Sequence, residues 1–112
     1  MFNLFKKKSK INNTQNNLVE TREDKIQKLK TNGIITLGAS SKTEIDVYEN
    51  TKKAINEMGL DIDVYNIVDS KALAKFSNIA APPALIINNK AVAQGYSMSK
   101  EEIIELIKKE ID

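Results

Sequence analysis

The chain has 112 residues and contains no cysteine, no histidine and no tryptophan, with only two prolines and four glycines. Without cysteine it can form no disulfide and can perform no thiol-disulfide exchange with its own residues. The joint absence of cysteine and histidine excludes an ordinary zinc site, and the absence of histidine removes the commonest general base. We therefore expect no bound metal and no catalysis of the thiol or zinc type.

Long apolar runs are also missing, since none approaches the ~20 residues that a membrane-spanning helix needs. The first ten residues, MFNLFKKKSK, hold a basic stretch, but the polar sequence INNTQNN follows where a secretory signal would be apolar. The length suits one domain of typical size with a small core. These features predict a single soluble domain in the cytoplasm.

Charge is distributed unevenly along the chain. Residues 1–32 carry eight Lys/Arg against three Asp/Glu, whereas residues 33–112 carry nine against twelve. The polar, Asn-rich composition of residues 9–17 is typical of a linker. We therefore predict a disordered basic tail at 1–17, whose residues 1–10 could contact an anionic membrane or nucleic acid.

The segment 18–32 is predicted to be a short helix or a linker. Thr21 and Asp24 have the spacing of a capping box, in which the two side chains bond to each other's backbone amides. Asn32 and Gly33 tolerate the left-handed conformation that commonly ends a helix. A helix over about residues 20–31 is consistent with this pattern.

Apolar periodicity from Gly33 onward predicts a complete α/β domain at 33–112. The predicted elements are a strand at 34–37, a helix ending at Gly59, a strand within 61–68, a short helix capped by Asp69 or Ser70, a hairpin turning at Asn88 and Asn89, and a final helix beginning at a Ser99–Glu102 capping box. The order β-α-β-α-β-β-α predicts a mixed four-stranded sheet with helices on both faces.

Several segments of this domain resemble one family. They are Ile35–Gly38 before the first long helix, Tyr48–Ile55 along that helix, Pro83–Ile87 in the third strand, and Gly95 after the hairpin. Together they resemble the small single-domain thioredoxin-like proteins often called redox-active disulfide proteins. The resemblance implies a thioredoxin-like fold for residues 33–112.

In that family the loop before the first long helix carries Cys-x-x-Cys, and the resemblance places Ser41 and Glu44 at the two cysteine positions. A shift of the alignment by one residue would place Ser40 there instead of Ser41. Neither Ser nor Glu can replace a thiol, but Ser-x-x-Glu has the spacing of a capping box. We therefore expect a helix cap where the family has its redox motif.

The resemblance also assigns Pro83 to the position of the family's cis-proline. The preceding residue, Pro82, has no amide hydrogen and so cannot donate the backbone hydrogen bond that this family position offers to a substrate chain. The predicted contact surface is the end of the sheet that bears Ser40, Ser41, Lys42, Glu44, Pro82, Pro83 and Tyr96.

The function predicted from these residues is a non-catalytic binding or accessory module that acts on a protein partner. A phosphate-binding loop is excluded, because Ser41 and Thr36 stand where that motif requires glycine, and we expect no cofactor. Two alternatives stay open. The chain could belong to a thiol-disulfide system whose cysteines are on the partner, or it could act through its tail on anionic membrane or nucleic acid.

Overall fold

The computed structural model of the protein describes residues 20–112, so the predicted tail at 1–17 lies outside the described residues. The helices are α1 (Arg22–Asn32), α2 (Lys42–Glu57), α3 (Ser70–Ala74) and α4 (Lys100–Ile111). The strands are β1 (Ile34–Leu37), β2 (Val64–Ile67), β3 (Ala84–Ile87) and β4 (Lys90–Gln94). From β1 onward the element order is the predicted β-α-β-α-β-β-α.

The four strands form one mixed sheet in the order β2-β1-β3-β4. β1 and β2 are parallel, whereas β3 is antiparallel to both β1 and β4. β2 is shorter than the predicted segment 61–68, because it pairs only with the four residues of β1. The hairpin turns at Asn88 and Asn89, whose φ angles of 54° and 62° are left-handed, as the sequence predicts.

Residues 22–32 form a helix, α1, that packs on the domain. Its capping box is complete, because the Thr21 side chain accepts from the Asp24 amide and the Asp24 carboxylate accepts from the Thr21 amide. Leu29 is fully buried in the core, and Arg22 forms a 3.1 Å ion pair with Asp112 at the end of α4. α1 is therefore fixed at both its start and its middle.

The sheet separates two cores of different size. The large core lies between the sheet and helices α1, α2 and α4. Its residues are Leu29, Ile34, Val47, Ala54, Ile55, Ile62, Leu85, Ile87, Met98, Ile103, Ile107 and Ile111. The small core lies on the opposite face, under α3 and the segment that follows it. Its buried residues are Leu37, Ala80, Ala84 and Ile86, with Leu73 and Phe76 packed against them while partly exposed.

Within residues 20–112, no helix has the length and apolar composition needed to cross a bilayer.

Candidate functional site

The loop from β1 to α2 begins where the two parallel strands end. Gly38 closes β1 by donating its amide to Ile67 at the end of β2, at 2.8 Å. Ser41 then starts α2, because its side-chain oxygen accepts the Glu44 amide at 3.3 Å. Half of the predicted Ser41–Glu44 capping box is therefore present.

The other half of that capping box is not formed, and the prediction of a complete box is wrong. The Glu44 carboxylate turns away from the Ser41 amide and accepts two hydrogen bonds from Ser40, one from the amide and one from the hydroxyl, both at 3.0 Å. Because one residue offers two donors to the same oxygen, Ser40 is a stronger partner than the single amide of Ser41. Glu44 therefore folds back over the loop.

Gly38 makes room for this arrangement. Its φ is +97°, and a Cβ built on it would overlap the Glu44 carboxylate and would press on Pro82. A glycine is thus required here both for the backbone conformation and for the close approach of the side chain. Gly38, Glu44 and Pro82 consequently meet at one point of the loop.

The segment before β3 lies beside this loop. The Pro82–Pro83 peptide bond is cis, and the Pro83 carbonyl accepts the Gly95 amide at 2.8 Å. The Ala81 amide donates to the Gln94 side chain at 3.0 Å, which fixes the segment to the last residue of β4. These bonds hold Pro82 against the loop that carries Glu44.

A shallow cleft of about 280 Å³ opens between the loop, the start of α3 and Pro82. Its lining residues are Gly38, Ala39, Ser40, Glu44, Val68, Leu73 and Pro82. Three residues of the predicted surface, Ser40, Glu44 and Pro82, lie in this cleft. Its wall on the α3 side is apolar, with Val68 being 55% exposed.

The other predicted residues lie outside the cleft lining. Ser41 is engaged as the helix cap, and Pro83 is engaged through its carbonyl. The Lys42 side chain is 87% exposed and pairs with Asp46 at 2.8 Å on the surface of α2. The Tyr96 hydroxyl donates to the Glu102 carboxylate, and this bond raises the pKa of Tyr96 above its ordinary value of 10.0.

Sequence reasoning did not find Val68 and Leu73. Both belong to apolar patterns that predict a strand and a short helix, and neither pattern indicates that these side chains stay partly exposed beside a loop some thirty residues earlier. The available signal was topological, because parallel strands bring the loops at their carboxyl ends to one edge of the sheet.

The polar groups of the cleft are the Glu44 carboxylate and the amide and hydroxyl of Ser40, and the groups around them are apolar. Glu44 is the one titratable residue in the lining, and the chain has no thiol or imidazole to act with it. In the part of the chain that the structure describes, no group of three or more acidic residues is placed to hold a metal ion. The cleft can therefore bind a ligand through hydrogen bonds and apolar contact.

The mixed sheet, the helices on both faces and the loop at the start of α2 define a thioredoxin-like fold. The family model described as Thioredoxin domain matches residues 34–108. The chain is also similar to a thioredoxin of Methanocaldococcus jannaschii, with 33% identity over 61 residues that make up 54% of this chain and 69% of that protein. No solved structure matches the chain significantly. The chain belongs to the thioredoxin family, as a variant that lacks the Cys-x-x-Cys motif.

Proposed function

We propose that the protein is a binding or accessory module of the thioredoxin family with a degenerate active site, in which Ser41 and Glu44 take the place of the two cysteines. The observation that carries the proposal is the Glu44 carboxylate, which lies over Gly38, is tied to Ser40 and lines the cleft beside Pro82. In this proposal a helix cap and a carboxylate stand where the family has a pair of thiols.

The surroundings of the cleft support a protein partner. Ile45, Val68 and Tyr96 are large side chains with exposed fractions of 44%, 55% and 45%. Val68 lines the cleft, Ile45 follows Glu44 in α2, and Tyr96 follows Gly95, whose amide donates to Pro83. Exposed apolar groups of this kind are typical of surfaces that another protein covers. In this proposal Pro83 keeps the family's cis-proline position, while Pro82 offers no amide hydrogen, so the partner contacts this end of the sheet mainly through apolar surface and the Glu44 carboxylate.

Restoring the cysteines tests the assignment of the degenerate positions. We expect the double variant Ser41→Cys/Glu44→Cys to form an intramolecular disulfide and to reduce insulin above the unmodified protein. The reason is that a thiol at the start of α2 gains from the free amides and the helix dipole.

The matched control is Ser40→Cys/Thr43→Cys, which shifts the pair by one residue and should stay at background. If the shifted pair were the active one, Ser40 would be the family position and our assignment of Ser41 would be wrong. Background activity in both variants would remove the support for a degenerate redox site.

The binding role needs a separate measurement. A photo-crosslinking residue at Val68 should capture one defined protein in the presence of dithiothreitol, whereas the same residue at Lys53 on α2 should not. Capture that disappears with reductant would favour the alternative of a redox system whose cysteines are on the partner. Equal capture at both positions would contradict a binding surface at the cleft.

A further inference from the structure

β2 lies at the edge of the sheet, and one of its sides has no neighbouring strand in the part of the chain that the structure describes. The carbonyl of Asp63, just before β2, accepts the Ile34 amide at 2.9 Å, and the carbonyl of Ile67, at the end of β2, accepts the Gly38 amide at 2.8 Å. Because backbone groups of a strand alternate in direction, the amides and carbonyls of Val64 and Asn66 point away from β1. Within residues 20–112 these outward groups form no backbone hydrogen bond.

A groove of about 240 Å³ runs beside this free edge, on the side of the large core. Its apolar part is formed by Ile55 and Leu60, from α2 and the turn after it, and by Ile62 and Val64, from the edge segment itself. The remaining lining is polar and consists of Lys52, Asn56 and Asp63. Leu60 and Val64 are only partly buried, so the groove presents apolar surface to whatever lies along β2. An added strand would place every second side chain into it.

The segment that carries this edge is also acidic. Asp61, Asp63 and Asp69 are exposed, no Lys or Arg occurs between residues 61 and 69, and no ion pair to these three carboxylates forms within the described residues. The Tyr65 hydroxyl donates to Asp63 at 3.2 Å, which places the Asp63 carboxylate and the half-exposed Tyr65 ring on one side of the strand. Side chains of an added strand that alternate with the groove-facing ones would meet this negative surface.

We propose that the β2 edge is a docking site for an extended segment of a partner chain in which apolar and basic residues alternate. The backbone of that segment pairs with Val64 and Asn66, its apolar side chains enter the groove, and its Lys or Arg side chains face Asp63 and the neighbouring carboxylates. This site is separate from the cleft at Glu44 and does not depend on the function proposed for that cleft.

The charges favour such a partner over a second copy of this chain. A second copy would bring its own segment 61–69, with three carboxylates and no Lys or Arg, alongside the same three carboxylates. In the register centred on Asn66, Asp63 of each copy would lie opposite Asp69 of the other. Like charges directly opposite each other destabilise paired strands. The carboxylates therefore oppose self-pairing and favour a basic strand.

The test uses the full chain labelled with 15N and the peptide Ac-Lys-Val-Lys-Val-Lys-Val-NH2. We expect the peptide to shift the amide resonances of residues 62–68 and to slow hydrogen exchange at Val64 and Asn66. The same peptide N-methylated at alternate residues and the peptide Ac-Glu-Val-Glu-Val-Glu-Val-NH2 should both bind more weakly. Equal binding of all three peptides, or shifts elsewhere in the protein, would overturn the proposal.

A charge variant tests the role of the carboxylate. Asp63→Asn should lower the affinity for the Lys-Val peptide about threefold, which is the effect expected for one exposed ion pair. Glu105→Gln, which removes the same charge from α4, should leave the affinity unchanged. If both variants lowered the affinity equally, peptide binding would depend only on the net charge of the protein. That result would contradict a defined site.

The exchange rates without peptide provide a further check. If the Val64 and Asn66 amides are protected from hydrogen exchange at all protein concentrations, another part of this chain covers the edge. Protection that rises with protein concentration would show that a second copy covers it. Either result would overturn docking of a partner strand.

Discussion

The two faces of the sheet are built differently. On the large-core face, Ile103, Ile107 and Ile111 of α4 recur every four residues and are fully buried. On the small-core face, α3 has five residues and none of them is buried. Burial of apolar surface is the main source of stability, so the large-core face holds the fold together. The small-core face is left with partly exposed apolar groups, and the candidate cleft opens at its edge.

The largest effect is expected from a deletion in the large core. Ile107→Ala should lower the free energy of unfolding by about 3 to 4 kcal/mol, because the side chain is fully buried and leaves a cavity. Urea denaturation followed by circular dichroism measures this loss. Ile107→Val should cost about 1 kcal/mol. A loss under about 1 kcal/mol for the alanine variant would contradict the assignment of stability to this face.

A smaller loss in the free energy of unfolding is expected from a large-to-small substitution on the small-core face. Leu73→Ala should cost about 1 to 2 kcal/mol, since the side chain is only partly buried and exposed to solvent in the cleft. It should also reduce crosslinking from Val68, which Ile107→Val should not affect. A loss equal to that of Ile107→Ala would show that the two faces contribute alike.

Substitutions in the loop at the start of α2 should lower the free energy of unfolding by less than Leu73→Ala does. Ser41→Ala removes the helix cap and should cost about 1 kcal/mol. Ser40→Ala removes only the hydroxyl that donates to Glu44 and should cost about half as much, because the Ser40 amide still donates. Both are measured by urea denaturation. The reverse order would show that the contact with Glu44, rather than the cap, stabilises the loop.

The smallest effect concerns Tyr65 on the small-core side of β2. The neighbouring Asp63 charge, together with its hydrogen bond, raises the pKa of Tyr65 above the ordinary 10.0. A raised pKa favours the protonated phenol in the folded state. The resulting stabilisation is complete below pH 10.0 and is lost as the pH rises through the higher folded value. Absorbance at 295 nm records all three tyrosines, so the protein is compared with Asp63→Asn, which should shift only the Tyr65 part of the titration toward 10.0.

Sequence patterns were sufficient for most of the fold, because helix periodicity, caps and turn residues act locally. The left-handed Asn88 and Asn89 and the caps at Thr21, Asp69 and Ser99 are examples. The patterns failed where another nearby residue competes with the cap residue for the same carboxylate. Glu44 bonds to Ser40, and Glu102 accepts from Tyr96, so neither acid returns to its own cap. The same limit hid Val68 and Leu73, whose place in the cleft depends on how distant segments meet.

Gly38 couples two positions that sequence comparison would treat as independent. A methyl group at residue 38 would meet the flexible end of Glu44 and displace the carboxylate, although Glu44 itself would be unchanged. The larger cost of such a residue would come from the backbone at φ +97° and from the contact with Pro82, because the end of the Glu44 side chain can move away. A substitution at residue 38 would thus change the cleft at a distance, by moving a carboxylate that the substitution itself leaves intact.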